Sequence, residues 1–129
     1  MALNPKDRFG ALKVPTLSVV PSVSLIYEAL GMWNGAEKYG AFNWRDHPVL
    51  ASIYVDAAFR HVMAWHAGED TDPQSGMPHL GHAKACLGIL ADAFETGNLI
   101  DDRPKNGAVP RLLKQYDRTQ PTRSPSRGS

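Results

Sequence analysis

The sequence predicts a mainly α-helical protein: a small bundle of three main helices, a short C-terminal helix and an extended N-terminal segment. Three observations predict it. Apolar residues recur at spacings of three and four along three stretches, the mark of one buried helix face. Proline and glycine fall between those stretches, where chains turn. A length of 129 residues with 43% hydrophobic side chains suits one domain with one core.

The first twenty residues are expected to be extended or irregular. Pro5, Pro15 and Pro21 interrupt any helix, and Val14 to Val20 mixes β-branched residues with Ser and Thr, leaving room for a short edge strand. From Ser22 to about Tyr39 the pattern turns helical, with Val23, Ile26, Tyr27, Leu30 and Trp33 as its buried stripe. Gly31 and Gly35 each weaken a helix interior by roughly 1 kcal/mol relative to alanine, so close packing is their expected reason. Gly40 is a natural stop.

Ala41 to His47 is a connection rich in aromatic and polar residues. Pro48 is placed to open the second helix, whose inner stripe reads Leu50, Ile53, Tyr54, Ala57, Ala58, His61 and Trp65 before Gly68 closes it. Glu69 to Met77 is an acidic turn punctuated by Pro73 and Gly76. Pro78 is placed to start the third helix, running to Gly97 with Leu80, Ala83, Leu87, Leu90 and Phe94 as its apolar stripe. His79, His82 and Cys86 share a neighbouring stripe. Asn98 to Pro104 reads as a structured connection, and Ala108 to Tyr116 as a short terminal helix. Residues 1–117 are therefore expected to form one domain. Residues 118–129, rich in Ser, Pro and Arg, are expected to be a disordered tail.

Fourteen basic and thirteen acidic residues leave a net charge of +1. A duplex nucleic-acid binder normally carries a clear basic excess, so that class is set aside. The single cysteine, Cys86, has no internal disulfide partner and points to a cytoplasmic setting. No stretch approaches the roughly 18 apolar residues of a membrane span. A core this small is marginal alone, so a homo-oligomer is expected.

Three groups of residues carry possible chemistry. Lys38, Tyr39, Asn43, Trp44 and Arg45 place cations and aromatic faces around a glycine-ended helix. Purines stack on aromatic rings, and guanidinium groups pair with phosphate oxygens. The alternative is that Trp44 and Phe42 simply fill the core. A second group joins Arg60 and His61 to Glu69, Asp70 and Asp72. Hard cations such as Mg²⁺ take oxygen ligands, and nucleotide phosphates travel with Mg²⁺. The alternative is a solvated acidic loop whose Asp72 and Ser75 make turn hydrogen bonds. The third is His79-x-x-His82 with Cys86, to which His61 or Asp72 would add a fourth Zn²⁺ ligand. His47 and His66 read as surface residues. Glycine-rich phosphate loops, GxSxG, paired CxxC and HExxH are missing.

Four motifs in order also resemble a known family. They are Lys38-Tyr39-Gly40 with Asn43-Trp44-Arg45; Arg60-His61, Ala64-Trp65 and Gly68-Glu69-Asp70; Asp72-Pro73, Ser75-Gly76, His79-Leu80 and His82-Ala83; and Leu99 to Pro104. Across roughly residues 7 to 117 the chain resembles the phage-associated dATP/dGTP diphosphohydrolase N-terminal domain. In longer members that domain precedes an all-α pyrophosphohydrolase domain, whose class holds Mg²⁺ on a helical EExxE motif followed by ExxD. This chain has no EExxE, and its only ExxD, Glu69 to Asp72, falls in the proline-containing turn.

The resemblance implies a purine (d)NTP diphosphohydrolase, or a domain of one, acting in the host cytoplasm. Mg²⁺, with Mn²⁺ or Zn²⁺ as alternatives, is expected on Glu69, Asp70, Asp72 and His82. His61 or His79 would act on the water as catalytic groups, while Arg60 and Arg45 neutralise phosphate and Trp44 or Tyr39 stacks on the base. Two other classes remain open: a non-catalytic binder that sequesters a nucleotide such as a host defence signal, and an interaction module beside a separate enzyme.

Overall fold

A computed structural model gives the architecture, and the structure describes residues 4–119. The order is α1 (Pro5–Gly10), a 3₁₀ turn (Leu17–Val19), α2 (Ser22–Tyr39), α3 (Asn43–Asp46), β1 (Val49–Leu50), α4 (Ala51–His66), α5 (His79–Glu95), β2 (Leu99–Ile100) and α6 (Ala108–Gln115). The mainly α-helical class is as expected. The sequence-predicted tail falls almost wholly on residues outside the description.

The main helices begin and end close to where their signals stand. α2 stops at Gly40 (φ 91°), and Gly68 (φ 104°) takes the chain out of α4 in a conformation that favours glycine. Two readings need correction. The N-terminal segment contains a helical turn, α1, because the Asn4 side chain caps the amide of Lys6 and Pro5 sits at the first helical position. Pro48 does not open α4. It precedes β1, which pairs in parallel with β2 through Val49↔Leu99 and Leu50↔Ile100.

That short pairing closes the fold behind α5. The Asn98 side chain donates to the carbonyls of Trp44 and His47, both at 2.8 Å, and the Asn98 carbonyl accepts from Val49 N–H at 3.0 Å. Asp102 accepts from Ser52 N–H at 2.9 Å and from the Ser52 hydroxyl, so a carboxylate fifty residues away caps the start of α4. Leu99 to Pro104, the last motif of the resemblance, is thus a structural clasp.

α5 is the central helix, packed against α2 on one side and α4 on the other, while α2 and α4 scarcely meet. The contacts use small residues. A Cβ added to Gly31 would fall 2.6 Å from the Gly81 carbonyl oxygen, and one on Gly81 would strike the Tyr27 carbonyl. The buried hydrophobic set is Val49, Ala51, Ala58, Ala83, Ala85 and Ala93. Much of the stripe expected inside α2 instead faces out: Val23, Ile26 and Trp33 are 64%, 59% and 57% exposed, while Leu30 is half-buried. Ile53 on α4, with Leu87 and Phe94 on α5, is likewise exposed. Backbones that approach this closely leave no room for large side chains between them, so of the expected stripes Ala58 and Ala83 are buried while these large members are not.

Candidate functional site

The polar centre lies where the last turns of α4 meet the first turn of α5. His61 and His79 come from different helices, and the intervening loop is tied so that Glu69 and Asp72 face them. Asp72 N–H donates to the Met77 carbonyl at 2.9 Å, Gly76 N–H to the Asp72 carbonyl at 2.7 Å, and His79 N–H to the Asp70 carbonyl at 3.0 Å. Asp72 Oδ1 accepts from Gln74 N–H at 2.9 Å, and Ser75 Oγ from Met77 N–H at 3.1 Å. The acidic turn is a closed, hydrogen-bonded loop.

His79 is the buried polar residue of the described chain, at 5% exposure. Its Nε2 lies 2.6 Å from Glu69 Oε1, and its Nδ1 lies 2.9 Å from His61 Nδ1. A carboxylate oxygen accepts, so His79 Nε2 donates to Glu69, and of the two facing Nδ1 atoms one donates to the other. His82 stacks on His61 with ring centroids 4.6 Å apart; its Nε2 is 2.7 Å from Ser75 Oγ and 3.9 Å from Asp72 Oδ2. Ligand atoms of His61, Asp72 and His79 all lie within 4.8 Å of one another.

Electrostatics lower the pKa of two of these imidazoles, His61 and His82. Burial lowers the His61 pKa, and the neighbouring His82, His79 and Arg60 lower it further against the pull of Asp72. Burial also lowers His82; Asp72 opposes this, while Lys38 and His79 reinforce it. Burial pushes Asp72 upward, but the Gln74 N–H and the three histidines outweigh it, so its carboxyl sits below the ordinary carboxylate value. Lys38 of α2 and Arg60 of α4 therefore stand close enough to be felt at the cluster. The result is a nitrogen-rich cluster with two carboxylates, within the field of two cations.

The sequence-derived candidates divide accordingly. His61, His79, His82, Glu69 and Asp72 come together, with Lys38 and Arg60 at the margin. Asp70 contributes its carbonyl to the loop and is not in the three-residue ligand cluster of His61, Asp72 and His79. Arg45 is not at this centre. Its guanidinium makes a bidentate pair with Asp92 at 2.6 and 2.7 Å, thirteen residues along α5 from His79, or about 20 Å at helical rise. Asp92 holds Arg45 raised, and Arg45 holds Asp92 below the ordinary carboxylate range. Trp44 is half-buried, with its ring against Phe42 (5.6 Å) and the Arg45 guanidinium (5.2 Å), so it too sits away from the histidines. The half-buried Asn43 takes its place in α3, accepting from His47 N–H through its carbonyl. Tyr39 is 70% exposed and is near enough to Tyr54 to contribute to its raised pKa, after burial and Cys86.

Two contributors escaped the sequence reading. Ser75 was assigned only turn bonds, yet it holds His82. Asp92 showed no sign of being the partner of Arg45, since a pair 47 residues apart leaves no periodic signal. Cys86, grouped with the histidines by spacing, stays outside the cluster; burial raises its pKa, with Arg60 opposing.

Comparison with known proteins now bears on the chain. Over 87 residues, 67% of its length, it is 31% identical to a protein of Salmonella phage PMBT28 named dATP/dGTP diphosphohydrolase. The chain spans only 29% of that relative's length. No solved structure matches. The family model described as dATP/dGTP diphosphohydrolase, N-terminal, matches residues 3–103, a stretch holding all five clustered side chains together with Lys38, Arg60 and Asp102. On that match the chain belongs to the dATP/dGTP diphosphohydrolase N-terminal family.

Proposed function

We propose that this chain handles a purine nucleoside triphosphate at the histidine–carboxylate pocket, as the metal-dependent diphosphohydrolase domain of a phage nucleotide enzyme. The single observation that carries the reading is the convergence of His61, His79, Glu69 and Asp72 from three segments, beside Lys38 and Arg60. The name of the phage relative supplies the substrate class. Lys38 and Arg60 would draw the triphosphate to the rim by charge. His82, neutral and held by Ser75, is placed to accept a proton from water. The water oxygen then bonds to the α-phosphorus, the bond from that phosphorus to the α–β bridging oxygen breaks, and pyrophosphate leaves with a monophosphate remaining. A divalent cation, Mg²⁺, Mn²⁺ or Zn²⁺, would supply Lewis-acid polarisation of the phosphoryl oxygens.

A second reading is favoured by one observation: the chain covers 29% of its relative, so the hydrolytic centre of such proteins can lie elsewhere. This domain would then bind and hold the nucleotide. A panel of dATP, dGTP, ATP, GTP and pyrimidine triphosphates with each metal separates the two. Hydrolysis predicts pyrophosphate release and its loss in His82→Ala; holding predicts a thermal shift with intact nucleotide. Neither shift nor product with any member would overturn both.

A further inference from the structure

We propose that His61, Asp72 and His79 form a centre for a borderline transition-metal ion of the Zn²⁺ class, with Glu69 as its outer carboxylate. The proposal concerns the ion alone and stands whether or not a nucleotide is hydrolysed.

The donor set decides the class of ion. Two imidazole nitrogens and one carboxylate oxygen suit Zn²⁺, Co²⁺ or Ni²⁺, whereas Mg²⁺ takes oxygen donors and water. The three side chains come from α4, the closed loop and α5, each anchored by backbone structure, and their ligand atoms already lie within 4.8 Å of one another. His79 Nε2 donates to Glu69 at 2.6 Å, and the other ring nitrogen, Nδ1, faces His61 and is the one available to an ion. A ligating histidine that donates its other nitrogen to a carboxylate is the common arrangement around bound metals, because the carboxylate fixes the tautomer and raises basicity.

The distances fit with little movement. Two nitrogens on a tetrahedral Zn²⁺, each about 2.0–2.1 Å from the ion, stand roughly 3.3 Å apart. The two Nδ1 atoms are 2.9 Å apart, so a few tenths of an ångström of opening admits the ion. Both histidines would bind it through Nδ1, with the ring proton of each on Nε2. Asp72 Oδ1 is occupied by Gln74 N–H, leaving Oδ2 for the ion. The first turn of α5 opposes a cation through its helix dipole, and the two negative carboxylates offset that. Three protein ligands leave one position open, as in catalytic rather than structural centres. His82, hydrogen-bonded to Ser75 and stacked on His61, stands beside that position.

The test uses tag-free full-length chain stripped with chelator and titrated with Co²⁺, whose visible absorption reports tetrahedral binding. One ion per chain is expected, displaced by Zn²⁺ and unaffected by excess Mg²⁺. Asp72→Asn and His61→Ala are expected to abolish uptake, Glu69→Gln to weaken it about 10–100-fold, and His66→Ala to leave it unchanged. Circular dichroism identifies variants that keep the fold, and Glu69→Gln, at a half-exposed side chain, covers the case in which the others do not. Absence of saturable Co²⁺ uptake, or uptake that survives Asp72→Asn and His61→Ala in folded protein, would overturn the centre.

Discussion

At the scale of the residue, charge pairs that look alike in the sequence do different work. Arg45 and Asp92 hold α3 against the far end of α5, so Arg45→Ala is expected to lower the thermal midpoint and leave nucleotide-induced shifts unchanged. A double-mutant cycle with Asp92→Ala should return a coupling for the pair; additive losses would count against it. Asp102 acts differently, through Ser52 at the start of α4. Its pKa is depressed mainly by the Ser52 hydroxyl and the Ser52 N–H, so its contribution is complete above the ordinary carboxylate value. That contribution is lost as pH falls through the depressed one. Urea midpoints between neutral and strongly acid pH should therefore fall less in Asp102→Asn than in the parent protein, from a lower starting point. An unchanged acid slope would show that the cap is not felt.

At the scale of the element, the α2–α5 contact is the most restrictive feature. Gly31 and Gly81 put backbone on backbone, whereas a Cβ on Gly35 meets nothing within 4 Å. Gly31→Ala is expected to destabilise by about 1–3 kcal/mol through forced separation of the helices. Gly35→Ala should be neutral or stabilising by up to about 1 kcal/mol, because only the helix-propensity gain remains. Chemical denaturation of both variants checks the contrast, and equal effects would mean the helices are not in this register. The loop between α4 and α5 is an element in the same sense: its internal hydrogen bonds hold Asp72 and Ser75 where α5 needs them.

At the scale of the whole molecule, an alanine- and glycine-lined interior leaves the large apolar side chains outside. Val23, Ile26 and Trp33 run along one side of α2, all more than half exposed. Three large apolar side chains on one side of a helix are the kind of surface that a partner covers. A second copy of the chain is the expected occupant, since two such stripes apposed would bury on the order of 1,000 Å², the lower bound for a specific interface. Sedimentation at micromolar concentration should find a dimer or larger, and Ile26→Lys with Trp33→Lys should return it to monomer. A monomeric parent protein would count against self-association through this stripe. Among the described residues, no helix is long and apolar enough to cross a membrane.

Periodicity and punctuation in the sequence determined the main helices, because i, i+3, i+4 spacing and glycine or proline breaks act over a few residues. The residues of the histidine–carboxylate cluster, from His61 to His82, were visible for the same reason: they are local in the chain. What only the tertiary structure decided is which face of α2 turns inward, because the approach of Gly31 to Gly81 excludes the large side chains that amphipathicity points to. It also decided that Arg45 belongs to Asp92, that Asp102 belongs to Ser52, and that His61 meets His79. Those pairings bridge distances of 18 to 50 residues, and no local propensity encodes a contact that exists only once the helices have packed.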